Sequence, residues 1–268
     1  MSTNKLLTLK HIELDKRLEN ALWILSINNP PVNTLSKKLF DELEIAIDEF
    51  SSDHNGRVMI LTAIGDRAFA SGVDINEILA LGSPDECALM AQKGQNVCNK
   101  IECLDKPVIV AINGMCIGGG NEIALACHLR IASERAKFGQ PEVNLGIIPG
   151  FGGTQRLPRL IGESKAKKLI LTGDLVSAQE ALQLGLIDMV VKPEKLIESA
   201  IELAKRILRN SQVAIKYAQQ AIREGLNRPL KEGLKREIEC FKEVCKSEDM
   251  REGLKAYKEK RVPNYKHH

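Results

Sequence analysis

The sequence predicts an α/β fold with an all-helical C-terminal extension, on three observations. Short apolar runs at 21–27, 58–63 and 108–112 read as strands, the last two of the kind buried on both faces of a sheet. A stretch with helical spacing separates the first two, so strand, helix and strand follow as in right-handed crossover units. Beyond Asp188 the chain turns to amphipathic helical patterns rich in Lys and Glu. The expected division is a core over 1–195 and a helical region over 196–268.

Taken in order, residues 6–9 (Leu-Leu-Thr-Leu) read as a first strand. In the second, Leu22, Ile24 and Ser26 alternate against Trp23, Leu25 and Ile27, and Asn29-Pro30-Pro31 ends it. A helix is expected from near Ser36, because Leu39, Phe40, Leu43, Ile47 and Phe50 recur on one face. After the 108–112 strand the chain should turn at Asn113-Gly114 and begin a helix close to Gly119. Helices are expected over 197–208, 213–226, 230–245 and 250–261. Leu234, Ile238, Phe241 and Val244 make one apolar stripe on the third of these, and most charges read as a solvated opposite face. No internal sequence repeat or low-complexity linker is visible.

Composition narrows the function. Apolar residues make up 44% and charged residues 27%, as in a soluble globular enzyme. The net charge of +3 comes from well-mixed 38 basic and 35 acidic residues, with only 4% aromatics, which argues against nucleic-acid binding as the main role. An RNA-binding role is the rival of another class, and a salt-dependent RNA shift without enzymatic turnover would favour it. Seven cysteines show no two-residue spacing of zinc or redox type, and buried free thiols in a reducing cytoplasm account for them. The first residues carry no apolar signal core, acidic residues arrive early at Glu13, Asp15 and Glu19, and no apolar stretch is long enough to span a bilayer. The expected location is the cytoplasm. His11, His54 and His128 lie in no ligand-type pattern, so no metal is expected.

Chemistry concentrates on two glutamates. Glu122 follows Gly118-Gly119-Gly120-Asn121 and precedes the apolar run Ile123-Ala124-Leu125-Ala126-Cys127. Glu142 ends Phe138-Gly139-Gln140-Pro141-Glu142 and precedes a mostly apolar segment. Carboxyl groups in such surroundings rise in pKa unless paired, which suits general acid–base work. Taken singly, each is also what a helix first turn or a surface turn carries. The glycines fit neither a dinucleotide fingerprint nor a P-loop, since no GxGxxG spacing and no Gly-Lys-Ser/Thr occurs there. A helix starting at Gly119 would leave first-turn N–H groups free for an anion. Tight helix–strand packing is the alternative reason for a glycine cluster.

Together with Asp66-Arg67-Ala68-Phe69-Ala70-Ser71-Gly72-Val73-Asp74-Ile75 and Pro149-Gly150-Phe151-Gly152-Gly153-Thr154-Gln155-Arg156-Leu157, these segments resemble the enoyl-CoA hydratase (crotonase) family, in order and over nearly the whole chain. The resemblance implies a crotonase (ClpP-like) fold, a repeated ββα spiral core with a C-terminal α-helical trimerisation region. It implies a catalytic core over 1–195 and hydration of a trans-2-enoyl-CoA to a 3-hydroxyacyl-CoA on short or medium chains. It places the catalytic carboxyls at Glu122 and Glu142 and the oxyanion-hole N–H donors at Val73 and Gly119. Members that isomerise, hydrolyse or dehalogenate commonly lack one glutamate, so keeping both favours the hydratase over an isomerase; a hydratase specialised for a cyclic or branched acyl group is the other alternative. The expected assignment is Glu122 as base and Glu142 as acid.

For coenzyme A, the substrate's handle rather than a cofactor, the resemblance points to Ala70, Ser71, Gly72, Val73, Asp74, Ile75 and Asn76, to Gly119, to Gly150 in the acyl pocket, and to Tyr257 and Lys260. Their three-residue spacing on the last helix would put Tyr257 and Lys260 on one face. It implies a homo-oligomer, a hexamer of two stacked trimers, whose C-terminal helices complete a neighbour's pocket. This chain departs from the family at Val73, where alanine is common, at Asn76, where lysine is frequent, and at His128, where many relatives have Asp.

Overall fold

A computed structural model of the protein describes residues 9–267. A six-stranded sheet forms its centre, in the order β1 (Ile12–Arg17), β2 (Leu22–Ile27), β3 (Val58–Ala63), β5 (Val108–Ile112), β7 (Leu129–Ser133) and β10 (Met189–Val191). Only the β1–β2 hairpin is antiparallel; every other neighbouring pair is parallel. A second sheet stacks β4 (Ala68–Ala70), β6 (Met115–Ile117), β8 (Lys137–Gly139) and β9 (Val176–Ser177). Three times in succession the chain adds one strand to the large sheet and the next to the small one, and then runs helical. That is the expected ββα spiral.

The expected strand at 6–9 lies, except for Leu9, outside the described residues. The hairpin partner of β2 is instead β1, whose sequence Ile-Glu-Leu-Asp-Lys-Arg carries little apolar signal because it is an edge strand open to water. The helix expected near Ser36 is α1 (Lys37–Ser52), and the Ser36 hydroxyl caps it by accepting from the Leu39 N–H. Between β4 and β5 come α2 (Ile75–Leu79) and α3 (Pro84–Glu102). The β6 strand leads into α4 (Gly119–Ala126), and β9 is preceded by α5 (Gly153–Ile161) and α6 (Glu163–Thr172). The α7 helix (Ala178–Leu184) then leads to β10.

Both faces of β3 and β5 are buried. Met59, Leu61, Val108 and Val110 face the main core with α1 and α3, while Val58, Ile60, Ile109 and Ala111 face Leu196, Ala200 and Ala204 of α8 (Leu196–Leu208). The 195/196 division therefore assigns to the helical region a helix that seals the outer face of the sheet. The remaining helices α9 (Gln212–Leu226), α10 (Leu230–Val244) and α11 (Glu248–Lys258) bury few side chains, and none on α9. The α10 stripe does not serve as a core face within the chain: Leu234, Ile238 and Phe241 are exposed, Phe241 at 70%.

Cys98, Cys116, Cys127 and Cys240 are buried free thiols, but Cys87 and Cys103 are exposed. These two fall in the first turn and at the C-cap of α3, where the helix faces water, which corrects the expectation that all are buried. No helix among the described residues is long and apolar enough to cross a membrane.

Candidate active site

The glycine motif is the hinge between β6 and α4. Gly118 adopts φ 54° and ψ −130°, which an L side chain resists, so the chain can turn from strand into helix within one residue. Gly120 lacks a Cβ because one would overlap the Ala70 carbonyl, and this lets α4 lie directly on β4. A Cβ at Gly118 would sit 3.7 Å from Gly72 Cα and 3.1 Å from Glu142 Oε1. The Gly72 and Gly118 turns therefore abut, with the Glu142 carboxyl beside them.

Val73 follows the first turn and Gly119 the second. Val73 is half-buried and bridges Leu35 in parallel fashion, with the Leu35 N–H donating to the Gly72 carbonyl and the Asp74 N–H to the Leu35 carbonyl. That pattern leaves the Val73 N–H without a backbone acceptor. Gly119 opens α4, where first-turn N–H groups have no helical acceptor. Among the described residues neither N–H donates within the chain, and each is free for a ligand oxygen.

Glu122 lies one turn into α4 and is only 2% exposed. Its Oε1 accepts from the N–H of Phe151 at 2.8 Å and of Gly153 at 2.6 Å. Burial pushes its pKa up to about 7, against the lowering effect of those amides and of the Arg156 charge. Glu142 sits in a 3₁₀ turn (Pro141–Leu145) and is half-buried. Burial raises it to about 7 as well, and the charge of Glu122 adds to the rise.

Gln140, fully buried, stands between the two. With its amide turned to donate, its nitrogen lies 2.9 and 3.1 Å from the Glu142 carboxyl oxygens. The Cβ absent from Gly153 would touch both the Gln140 amide, at 2.8 Å, and Glu122 Oε1, at 2.9 Å. Two carboxyl groups poised near neutrality thus share one wall with two unpaired N–H donors. Such a set can move protons to and from water while anionic charge gathers on a bound oxygen.

Of the residues expected at the ligand, Ala70 ends β4, and Ser71, Gly72, Val73 and Asp74 form the loop beside Gly119. Asp74 caps α2 by accepting from the Asn76 N–H at 2.9 Å, and the Asn76 side chain also turns back to Asp74. Ile75 is exposed. Among the described residues the Gly150 N–H donates to nothing, while its carbonyl accepts from the Gln95 amide at 2.8 Å and a Cβ there would meet Ala91, at 3.6 Å.

Tyr257 and Lys260 stand apart. Tyr257 on α11 is 86% exposed. Lys260 lies beyond the helix, which ends at Lys258, and its φ of 53° is left-handed. The expectation that both share one helical face is corrected accordingly: the helix stops before the second residue. His128 is structural here. Its Nδ1 accepts from the Val108 N–H at 3.0 Å, and burial lowers its pKa to about 4, so the ring is neutral. No group of three or more His, Cys, Asp or Glu among the described residues could hold a metal ion.

Nothing in the sequence marks Gln140, Gln95 or Arg156 as parts of the site. Gln140 lies two residues before Glu142, whereas only the fold brings Gln95 and Arg156 to the segment that binds Glu122.

Residues 17–268 match the family model described as enoyl-CoA hydratase/isomerase. The chain is 41% identical to a short-chain-enoyl-CoA hydratase of Clostridium acetobutylicum, over 94% of this chain and 96% of that one. It is 41% identical to a crotonyl-CoA hydratase of Syntrophomonas wolfei, over 96% and 98%. Its backbone is similar to the crystal structure of an enoyl-CoA hydratase from Bacillus anthracis, with a TM-score of 0.93 at 41% identity, covering 97% of this chain and all of that one.

Proposed function

The chain belongs to the enoyl-CoA hydratase/isomerase family and hydrates an enoyl-CoA, and we propose that Glu122 and Glu142 carry that reaction with the N–H groups of Val73 and Gly119. The observation that carries this reading is the pair of carboxyls held near pKa 7 beside two free backbone donors. The thioester oxygen would sit on the two donors, which take up the charge that builds there as water adds to C3. Losing one such donor typically costs about 2.7–4 kcal/mol.

The amides on Glu122 Oε1 favour its ionised form, and a charged Glu122 keeps the proton on Glu142. Glu122 therefore takes a proton from water as its oxygen bonds C3, and Glu142 delivers a proton to C2; dehydration runs the roles backwards. The pair titrates as a unit, so the rate should be bell-shaped in pH and highest near 7. The coenzyme A thioester is the substrate, and no separate cofactor enters the scheme. The preference for short or medium acyl chains is part of this proposal, with the Val73 side chain narrowing the acyl entrance. Following loss of the enoyl thioester absorbance over a series of chain lengths tests the reading, and no turnover at any length would overturn it.

The finer readings are part of the same proposal. The protein would work in the cytoplasm as two stacked trimers, with Tyr257 and Lys260 lent to a neighbour's coenzyme A site. The support is apolar exposure on α9 and α10, with Leu226 at 81%, beyond what an isolated chain should show to water. Light scattering giving a monomer at full activity would rule out the shared pocket.

A further inference from the structure

The segment from Gly150 to Gly153 turns the Phe151 and Gly153 N–H groups to Glu122 and the Gly150 and Phe151 carbonyls to the other side. The N–H groups of Phe151 and Gly153 bind Glu122 Oε1. The carbonyl of Gly150 accepts from the Gln95 amide at 2.8 Å, and that of Phe151 from Arg156 Nη1 at 3.0 Å. Arg156 is itself fixed at three points. Its Nε and Nη2 donate to Glu102 Oε2 at 3.0 and 2.7 Å, and Nη2 donates to Asn99 Oδ1 at 2.6 Å. Gln95, Asn99 and Glu102 follow at four- and three-residue intervals, so one face of α3 supplies every outer tether.

The glycines show how closely this is fitted. Gly152, at φ 111°, has no room for a Cβ because the Arg156 guanidinium occupies the space. Gly94 of α3 has none because the Phe151 ring lies there. A glycine-rich segment would otherwise be free to turn its peptide planes. Rotating the 151–152 peptide would remove its carbonyl from Arg156.

We propose that Arg156 is a positioning residue for Glu122: by holding the Phe151 carbonyl outward it fixes the 151–152 peptide, turns the Gly152 N–H to the Glu122 side and so sets the backbone between the two N–H groups that bind the carboxyl, while Gln95 on the Gly150 carbonyl fixes the plane of the Phe151 N–H. It touches no substrate and acts through the backbone. The inference rests on the reading that Glu122 is catalytic. The guanidinium has a second effect, since its charge favours the Glu122 anion.

Of the ionisable groups on the elements packed against α4, Cys98 of α3 and Arg156 of α5 couple to Glu122, as does Glu142 of the 3₁₀ turn; Glu102 of α3 pairs with Arg156, Cys116 lies on β6 and Cys127 at the helix's own C-cap. Burial keeps the three thiols protonated in the working range. Charge changes at Glu122 therefore come from Glu142, Arg156 and Glu102.

The test is steady-state hydration against pH with the full-length Arg156→Met, Arg156→Lys and Glu102→Gln variants. Arg156→Met should lower kcat by about tenfold to 10²-fold with KM within about threefold, and move the Glu122 limb of the profile to higher pH. Arg156→Lys keeps the charge without the planar fork, so its limb should stay in place while kcat falls. Glu102→Gln removes the countercharge but leaves Arg156 on the Phe151 carbonyl and Asn99; its limb should move to lower pH. A merely structural role would move both neutralising variants the same way, and that result overturns the proposal, as does a wild-type profile in Arg156→Met. If Arg156→Met does not fold, the Arg156→Lys and Glu102→Gln profiles decide. Glu122→Gln separates the two levels. Full turnover in that variant overturns the catalytic reading; an inactive Glu122→Gln beside a wild-type Arg156→Met overturns only the positioning role.

Discussion

The two carboxyl regions reach the same acidity by different routes. Glu122 stands on a helix whose every residue is buried, with one oxygen fixed by two amides. Glu142 stands in a short 3₁₀ turn, half-open, and the residues after it, Asn144 to Ile148, are exposed. The first carboxyl is desolvated but pre-organised; the second owes part of its rise to the charge of the first. The construction suits the proposed roles: a base at Glu122 needs a fixed lone pair, whereas an acid at Glu142 that hands its proton to carbon benefits from a turn that can adjust. The difference teaches that equal pKa values do not mean equal construction.

The sharpest way to break the comparison is to neutralise each side. Glu122→Gln and Glu142→Gln should each lower kcat by roughly 10²–10⁴-fold, with acyl-CoA affinity little changed. In the proposed scheme the two groups serve one addition, so the double variant should fall well short of the product of the two losses. Near-normal turnover in either single variant, measured by absorbance, would remove that residue from the mechanism.

Smaller damage comes through the glycines that frame each region. Gly118→Ala forces a side chain into positive φ and against the Glu142 carboxyl. Gly152→Ala strains the Glu122 segment and collides with Arg156. Each should cost about 1–3 kcal/mol of stability. Their kinetic effects should differ: Gly152→Ala should resemble Arg156→Met in its pH profile, and Gly118→Ala should also misalign the Gly119 N–H proposed as an oxyanion donor. Identical profiles for the two would show that the regions are not separately built.

How much of this was legible in the sequence follows the lengths of the elements. The β2, β3 and β5 strands and the α1, α8, α9, α10 and α11 helices are long enough to show a period, and they stand close to where the spacing puts them. The β4, β6, β8, β9 and β10 strands have two or three residues each, too few for any alternation to register. Yet four of these short strands make the second sheet, which carries the loops of the site. Glu122 and Glu142 were legible because an acidic residue beside glycines and apolar runs is chemically conspicuous. Arg156 was not, since an arginine in a helix reads as a surface charge until the fold shows its three partners. The spacing of four between Gly152 and Arg156 is the only local hint. The α10 stripe was visible, but whether its cover comes from the chain itself depends on tertiary placement.

The mildest effect concerns stability, and it separates the two regions by size. A carboxyl whose folded pKa is raised from 4.5 to about 7 binds its proton more tightly in the folded state. Between those values the folded protein holds more protons than the unfolded chain, so stability falls as pH rises and stays low above about 7. Replacing Glu122 by Gln removes that penalty while an amide oxygen can still accept from Phe151 and Gly153. The variant should therefore be more stable than the parent at pH 8, by about 1 kcal/mol or more, and should lose the advantage near pH 5. Glu142→Gln should gain less, because its turn is half-open and solvent screens part of the cost. Urea midpoints of both variants and the parent at pH 5 and pH 8 measure this directly. A Glu122→Gln protein no more stable at pH 8 than at pH 5, relative to the parent, would mean that its carboxyl is not held near neutrality by burial. The difference between the two regions would then lie in geometry alone.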